Sequence, residues 1–178
     1  KYSDNSKERR TLVETAELYA TVTKRWIEGQ RRTEWVDNII MGKAEVEKVL
    51  FVDDTVVIVP DYKWRSASVD DLYLLCLFKD ETLRCLRDLT DANMLLSVRR
   101  SIELTLKSTF NIDIQAVSIY FHHPPTYYRL HLHIVSNKAV EFVSSHVNLA
   151  HSLDTVIYNL TLCGAYYRKA DLPILIGP

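Results

Sequence analysis

Residues 127–135 read YYRLHLHIV, which sets Arg129, His131 and His133 two apart with Leu130, Leu132 and Ile134 between them. The whole chain has only six histidines. On a strand, period-two alternation sends the basic residues to one face and the aliphatic ones to the other, so the imidazoles are presented together. Three readings fit that face. It can be a half-exposed strand surface and nothing more. Neutral imidazoles two apart can chelate Zn²⁺ with a third ligand, which His122 or His123 on the preceding run would supply. A neutral histidine nitrogen can also attack phosphorus while neighbouring imidazole and guanidinium groups stabilise the charge spreading over the phosphoryl oxygens. The stretch 114–140 carries no acidic residue, while His122, His133 and Arg129 offer positive charge and Thr126 and Tyr127 offer hydroxyls. That balance favours phosphate over metal.

The elements that would position this face belong to an ordinary globular chain. At 178 residues the sequence is long enough for one domain with a sizeable core, and 47% hydrophobic with 25% charged residues is average for such a domain. No run of 18 apolar residues is present to span a bilayer, so no membrane partner is expected. The net charge of -1 provides no global basic field for long nucleic acid, although a local pocket can still take a nucleotide. Cys76, Cys85 and Cys163 are odd in number and lack CxxC spacing, which reads as reduced thiols in a reducing compartment. The chain opens KYSDNS without an initiator Met, and a fragment of a longer protein is the reading.

Along the chain, residues 6–30 mix charge with Leu12, Ala16, Leu18 and Tyr19 and predict a helix. RRTEWVDNIIMG predicts a short helix with Thr33 as N-cap and Gly42 beyond its end. AEVEKVLFVDD and TVVIVPD predict two β-rich runs joined as a hairpin at Asp53-Asp54, and VDDLYLLCLFKD a buried strand. Leu95, Val98, Ile102 and Leu106 recur at helical spacing with no Gly or Pro, which predicts a helix over 91–109. DIQAVSIYFHH and YYRLHLHIVS predict antiparallel neighbours joined at Pro124-Pro125-Thr126. VEFVSSHVNLAHSLDTVIYNL predicts a second long helix and KADLPILIGP a terminal extended segment. The sum is an α+β fold, an antiparallel sheet of about five strands with two main helices.

PPTYYRLHLHIV resembles the signature of the histidine-triad superfamily, and VIVPDYKW, DDLYLL, LRDLT and WVDNIIMGKAE, in matching order, narrow the resemblance to the scavenger mRNA decapping enzymes. It runs from about Trp35 to residue 160. The resemblance implies a histidine-triad-like domain over 35–178, with 1–34 an N-terminal helical segment or the remnant of a lid or hinge. It implies a homodimer of the cytoplasm, with the nucleus as a second location, and no metal or other cofactor. The activity implied is hydrolysis of the m7GpppN cap on dinucleotides or short capped RNA, giving m7GMP and a nucleoside diphosphate product through a covalent histidine-nucleotidyl intermediate. A cap-binding or regulatory paralogue without turnover is the alternative.

By position, the resemblance makes His131 the nucleophile, His133 the last triad histidine and His122 an upstream histidine at the triphosphate. Thr126 and Tyr127 take phosphate-side positions, Trp35 the stack on the methylated base, Glu45 the carboxylate that reads its edge, and Asp61 and Lys63 positions at the nucleotide. N7-methylation makes guanine cationic, so an indole face gains about 0.5–2 kcal/mol and a carboxylate can accept from N1–H and N2–H together. Two positions depart from the pattern. Arg129 stands where the triad begins with histidine, keeping charge but not the ability to accept a hydrogen bond. Leu149 stands where the family tends to place an arginine. Arg129 is expected to compensate by stabilising the leaving diphosphate.

Overall fold

The computed structural model describes residues 9–29, 33–66, 68–139 and 146–176. The chain enters on strand β1 (Arg10–Glu14), then helix α1 (Ala16–Leu18), a π turn (Tyr19–Thr23) and helix α2 (Lys24–Glu28). The single helix predicted for 6–30 is therefore corrected: a strand occupies its first half, and residues 1–8 lie outside the described segments. Thr15 stops the strand and starts the helix, its hydroxyl accepting from the Leu18 N–H. Helix α3 (Glu34–Ile40) falls where predicted and buries Val36 and Ile39. Thr33 flanks it but caps no backbone N–H; its hydroxyl reaches Asp37 instead.

Strands β2 (Phe51–Val52), β3 (Val56–Pro60) and β4 (Tyr73–Phe78) follow, with β2 and β3 forming a hairpin shorter than predicted because 46–48 turn as a 3₁₀ segment. Helix α4 (Ala92–Thr105) is capped by Asp91, whose carboxylate accepts from Asn93 and Met94, and a π turn carries it to Phe110. It buries Leu95, Val98 and Ile102, the spacing read from the sequence. Strands β5 (Val117–His122) and β6 (His131–Ser136) come next. Strand β7 (Ala150–Ser152), helices α5 (Leu153–Leu162) and α6 (Tyr166–Lys169), and strand β8 (Leu172–Ile176) complete the chain. The second long helix thus starts at Leu153; β7 occupies part of its predicted range, and 140–145 lie outside the described residues.

Among the described residues the main sheet has six strands in the order β2-β3-β4-β6-β5-β7, all antiparallel, one more than the reading of about five. A separate two-stranded sheet pairs β1 with β8, so the extended segment predicted at the end is held by the first strand. The central strand β4 is buried along its whole length and serves both faces. Leu74, Cys76 and Phe78 join the core under α4 and α5, whereas Tyr73, Leu75 and Leu77 join a smaller cluster with Val36 and Ile39 of α3. Register sets His131 opposite Leu77, and His133 opposite Leu75 and Tyr120. The histidines therefore face the thin side, under α3, while Leu132 and Ile134 pack into the main core. One residue's slip would exchange the two sets.

Candidate active site

Strand β6 supplies two imidazoles to a cleft of about 450 Å³ lined by Trp35, Glu45, Asp61, Lys63, Thr126, Tyr127, His131 and His133 together with apolar residues of α3, β3 and β4. Those eight are the sequence-predicted positions other than His122 and Arg129. His131 is 3% exposed, and its Nδ1–H donates to the Arg129 carbonyl at 2.7 Å. A carbonyl can only accept, so this bond leaves the lone pair of the neutral ring on Nε2. Tyr127 stacks on the same ring at 4.1 Å and 11°. Burial pushes the His131 pKa down to about 4 against the pull of the Arg129 carbonyl, with the charges of His122 and Lys63 adding to the fall. At neutral pH the imidazole is neutral with Nε2 unprotonated, the form a nucleophile requires.

His133 Nδ1 hydrogen-bonds the Tyr73 hydroxyl at 2.8 Å, and its buried Nε2 has no hydrogen-bond partner. Burial lowers its pKa further than that of His131, with help from the positive charges of His131, His122 and Lys63. His122, at the end of β5, meets the His133 ring at 4.0 Å, so it adjoins the cleft beside His133 without lining it. Among the described residues no group of three or more His, Cys, Asp or Glu could hold a metal ion.

The base end of the cleft is built on α3. Trp35 is 46% exposed, one edge of its surroundings being Tyr127 at 5.1 Å and 74°. Glu45 follows the turn after α3 with φ of 54°, a left-handed conformation that costs a residue with a Cβ about 1–3 kcal/mol and is concentrated at functional sites. Its carboxylate pairs with Lys48 at 3.4 Å. Asp61 is buried and holds a turn, accepting from the Lys63 N–H at 2.7 Å; burial raises its pKa while that bond and the Lys63 charge pull it down. Asp61 thus shapes the loop that offers Lys63, whose ammonium lies 5.3 Å from the Tyr73 ring centre.

Arg129 lies on the expected side but is not among the residues that line the cleft. It precedes β6, whose ladder starts at His131, and its guanidinium is buried against Asp37 of α3 at 3.1 Å. The cation read as a phosphate partner is already paired, which leaves Lys63 as the charged base of the cleft itself. Sequence reasoning also missed Tyr73, Tyr120 and Asp37. Tyr73 and Tyr120 were legible in principle, because alternation in β4 and β5 puts both on the histidine face, where Tyr120 stacks on His133 at 5.4 Å. Leu149 makes main-chain bonds with His123 and His146.

An antiparallel sheet carrying His131 and His133 beneath a short helix is a histidine-triad arrangement, and solved structures agree on the fold. Hnt3 in complex with DNA and guanosine is similar over 72% of this chain and 77% of that one, with a TM-score of 0.53 at 20% identity. A second Hnt3 complex with DNA, described as an aprataxin ortholog, matches 78% of this chain and 86% of that one with a TM-score of 0.52 at 19% identity. The family profile "Scavenger mRNA decapping enzyme C-term binding" matches residues 34–147, and the chain belongs to that family. The m7GpppX diphosphatase of Ascaris suum is 33% identical over 179 residues, covering 97% of this chain and 58% of that protein. That of Homo sapiens is 31% identical over 170 residues, 92% of this chain and 50% of that protein. The chain thus spans about half the length of these relatives.

Proposed function

We propose that this chain carries the catalytic half of a scavenger decapping hydrolase, which cleaves m7GpppN on dinucleotides or short capped RNA to m7GMP and a nucleoside diphosphate product. One observation carries the reading: a neutral imidazole with its lone pair directed to Nε2 lines the same cleft as a half-open indole and a carboxylate. Trp35 stacks on the cationic base and Glu45 accepts from its edge, which sets the adjoining phosphorus toward the histidines. His131 Nε2 then attacks that phosphorus. The new N–P bond forms as the P–O bond to the diphosphate breaks, and water later cleaves N–P to release m7GMP. Lys63, His133 and the hydroxyls of Thr126 and Tyr127 stabilise charge on the phosphoryl oxygens.

The names of the relatives and the family match support the substrate class, and the reading includes a homodimer. The test is release of m7GMP from a methylated cap dinucleotide in EDTA by the chain and by His131→Asn. Turnover in the parent that disappears in the variant is the expected result. Binding by both without turnover in either would make the chain a cap-binding module, and loss of turnover in EDTA would make the chemistry metal-dependent.

A further inference from the structure

Arg129 has two ends that point at different parts of the site. Its carbonyl accepts the His131 Nδ1–H at 2.7 Å, and its guanidinium, with the residue 8% exposed, faces Asp37 at 3.1 Å. Asp37 lies on α3, two residues after Trp35. A second path joins the same two places through rings, since Trp35 meets Tyr127 edge-on at 5.1 Å and Tyr127 stacks on His131 at 4.1 Å. The base-stacking residue and the nucleophile are therefore connected twice, once by aromatic contact and once by charge.

As a stability device the charged path is poor. The Asp37 side chain is 31% exposed, its Oδ1 meets the guanidinium as an ion pair outside hydrogen-bond geometry, and Arg129 Nε is buried without a partner, so solvent screening leaves the pair little net stabilisation. What the pair does supply is position. Tethering the guanidinium to α3 restricts the backbone of Arg129, and the direction of that residue's carbonyl decides which nitrogen of His131 carries the proton.

We propose that Asp37 is a positioning residue: its ion pair with Arg129 holds the carbonyl that orients His131 in register with the helix that presents Trp35. The base platform and the nucleophile then move as one unit, and a base seated on Trp35 finds the Nε2 lone pair already in place. This rests on the decapping reading for its substrate but not for its first readout.

The test uses the full 178-residue chain, with Asp37→Asn, Arg129→Gln, the two combined, and Asp37→Glu. The ring ¹⁵N shifts of His131 are recorded without ligand, and kcat and KM are measured for the methylated cap dinucleotide. The parent is expected to show the Nδ1–H tautomer. Each neutralising variant is expected to mix the tautomers and lower kcat on the order of tenfold, with a smaller change in KM. The combined variant should be no worse than the worse single one, because both remove the same interaction. Asp37→Glu should stay within about threefold of the parent, since the pair survives. Unchanged tautomer and kcat in Asp37→Asn, whatever happens to Tm, would overturn the proposal and leave the pair structural. A rise in KM for Arg129→Gln with a fall for Asp37→Asn would overturn it in favour of direct phosphate binding by Arg129. Absence of turnover in the parent would sink the decapping reading alone, and the tautomer shift would still decide the role of Asp37.

Discussion

The cleft histidines and the carboxylate of Glu14 are buried to a similar depth, with His131 at 3%, His133 at 5% and Glu14 at 1% exposure. Their surroundings are opposite. Glu14 Oε1 accepts from Arg87 Nε and Nη2 at 3.1 and 2.9 Å and from His123 Nε2 at 2.8 Å, while Oε2 accepts from the Thr23 hydroxyl at 2.8 Å. Arg87 also donates to the carbonyls of Glu14 and Tyr167, so every side of the charge is satisfied. Burial alone would raise the Glu14 pKa, yet the bonds from His123, Thr23 and Arg87 hold it at about 2. In the cleft, burial meets no opposing carboxylate at the rings, and the histidines stay neutral. A buried charge needs a complete set of partners, which fixes structure; a buried neutral imidazole needs one bond to set its tautomer and keeps its other nitrogen for chemistry.

The largest expected effect tests the charged side of that contrast. Arg87→Met keeps volume but leaves Glu14 buried without its main cation, and removal of one partner from a buried pair costs about 3–5 kcal/mol. Against a total of about 5–15 kcal/mol, a substantial drop in Tm and in the urea midpoint should follow. The double variant Arg87→Met with Glu14→Leu, which removes the stranded charge, should recover part of the loss. A midpoint for Arg87→Met within error of the parent would mean that the cluster is solvated in solution and the contrast is false.

The next effect separates the two regions by pH. Glu14 is held below its ordinary value of 4.5, so its contribution is complete above pH 4.5 and is lost as pH falls toward about 2. His131 is held below 6.5, neutral in the fold while the unfolded chain charges, so stability falls from pH 6.5 toward about 4. Urea midpoints from pH 7 to 3 should therefore show two declines, the upper one reduced in His131→Asn and the lower one reduced in Glu14→Gln. Under the decapping reading, kcat/KM should keep its value below pH 6.5, because the nucleophile protonates only near 4. An acid limb centred at 6.5 would show that His131 is hydrated in the working protein.

How far the sequence carried this picture depends on the range of the interactions involved. The histidine face and the helix α4 were legible because alternation and helical spacing are written locally, in Leu130 to Ile134 and in Leu95 to Ile102, and the strand β4, a continuous apolar run from Tyr73 to Phe78, because turn residues flank it. The resemblance collected eight cleft residues that are scattered from Trp35 to His133. What could not be read is long-range. Strand β1 has no alternation strong enough to overrule a helical reading, and it becomes a strand because Arg10 to Glu14 find Leu172 to Ile176. The Glu14 cluster joins residues 73 and 109 positions apart. Arg129 stays on the side of His131, as alternation assigns it, but its guanidinium is taken up by Asp37 of α3 and does not line the cleft, a long-range pairing that no local pattern reveals.

The smallest effect probes the neutral side. Tyr73→Phe keeps the buried ring, and with it the packing against Lys63, but deletes the hydroxyl that bonds His133 Nδ1 at 2.8 Å. A neutral hydrogen bond contributes about 0.5–1.5 kcal/mol net, and a stranded buried nitrogen adds up to about 1–3 kcal/mol. Loss of about 1–3 kcal/mol in urea is expected, below the about 3–5 kcal/mol for Arg87→Met, because no charge is left behind. Turnover should fall more than stability suggests, since His133 then loses the bond that sets its ring beside His131, 4.9 Å away. Equal losses in Tyr73→Phe and Arg87→Met would erase the distinction between the two regions. A loss of turnover with an almost unchanged urea midpoint would sharpen it, marking the neutral cluster as the part of the core whose bonds serve orientation before stability.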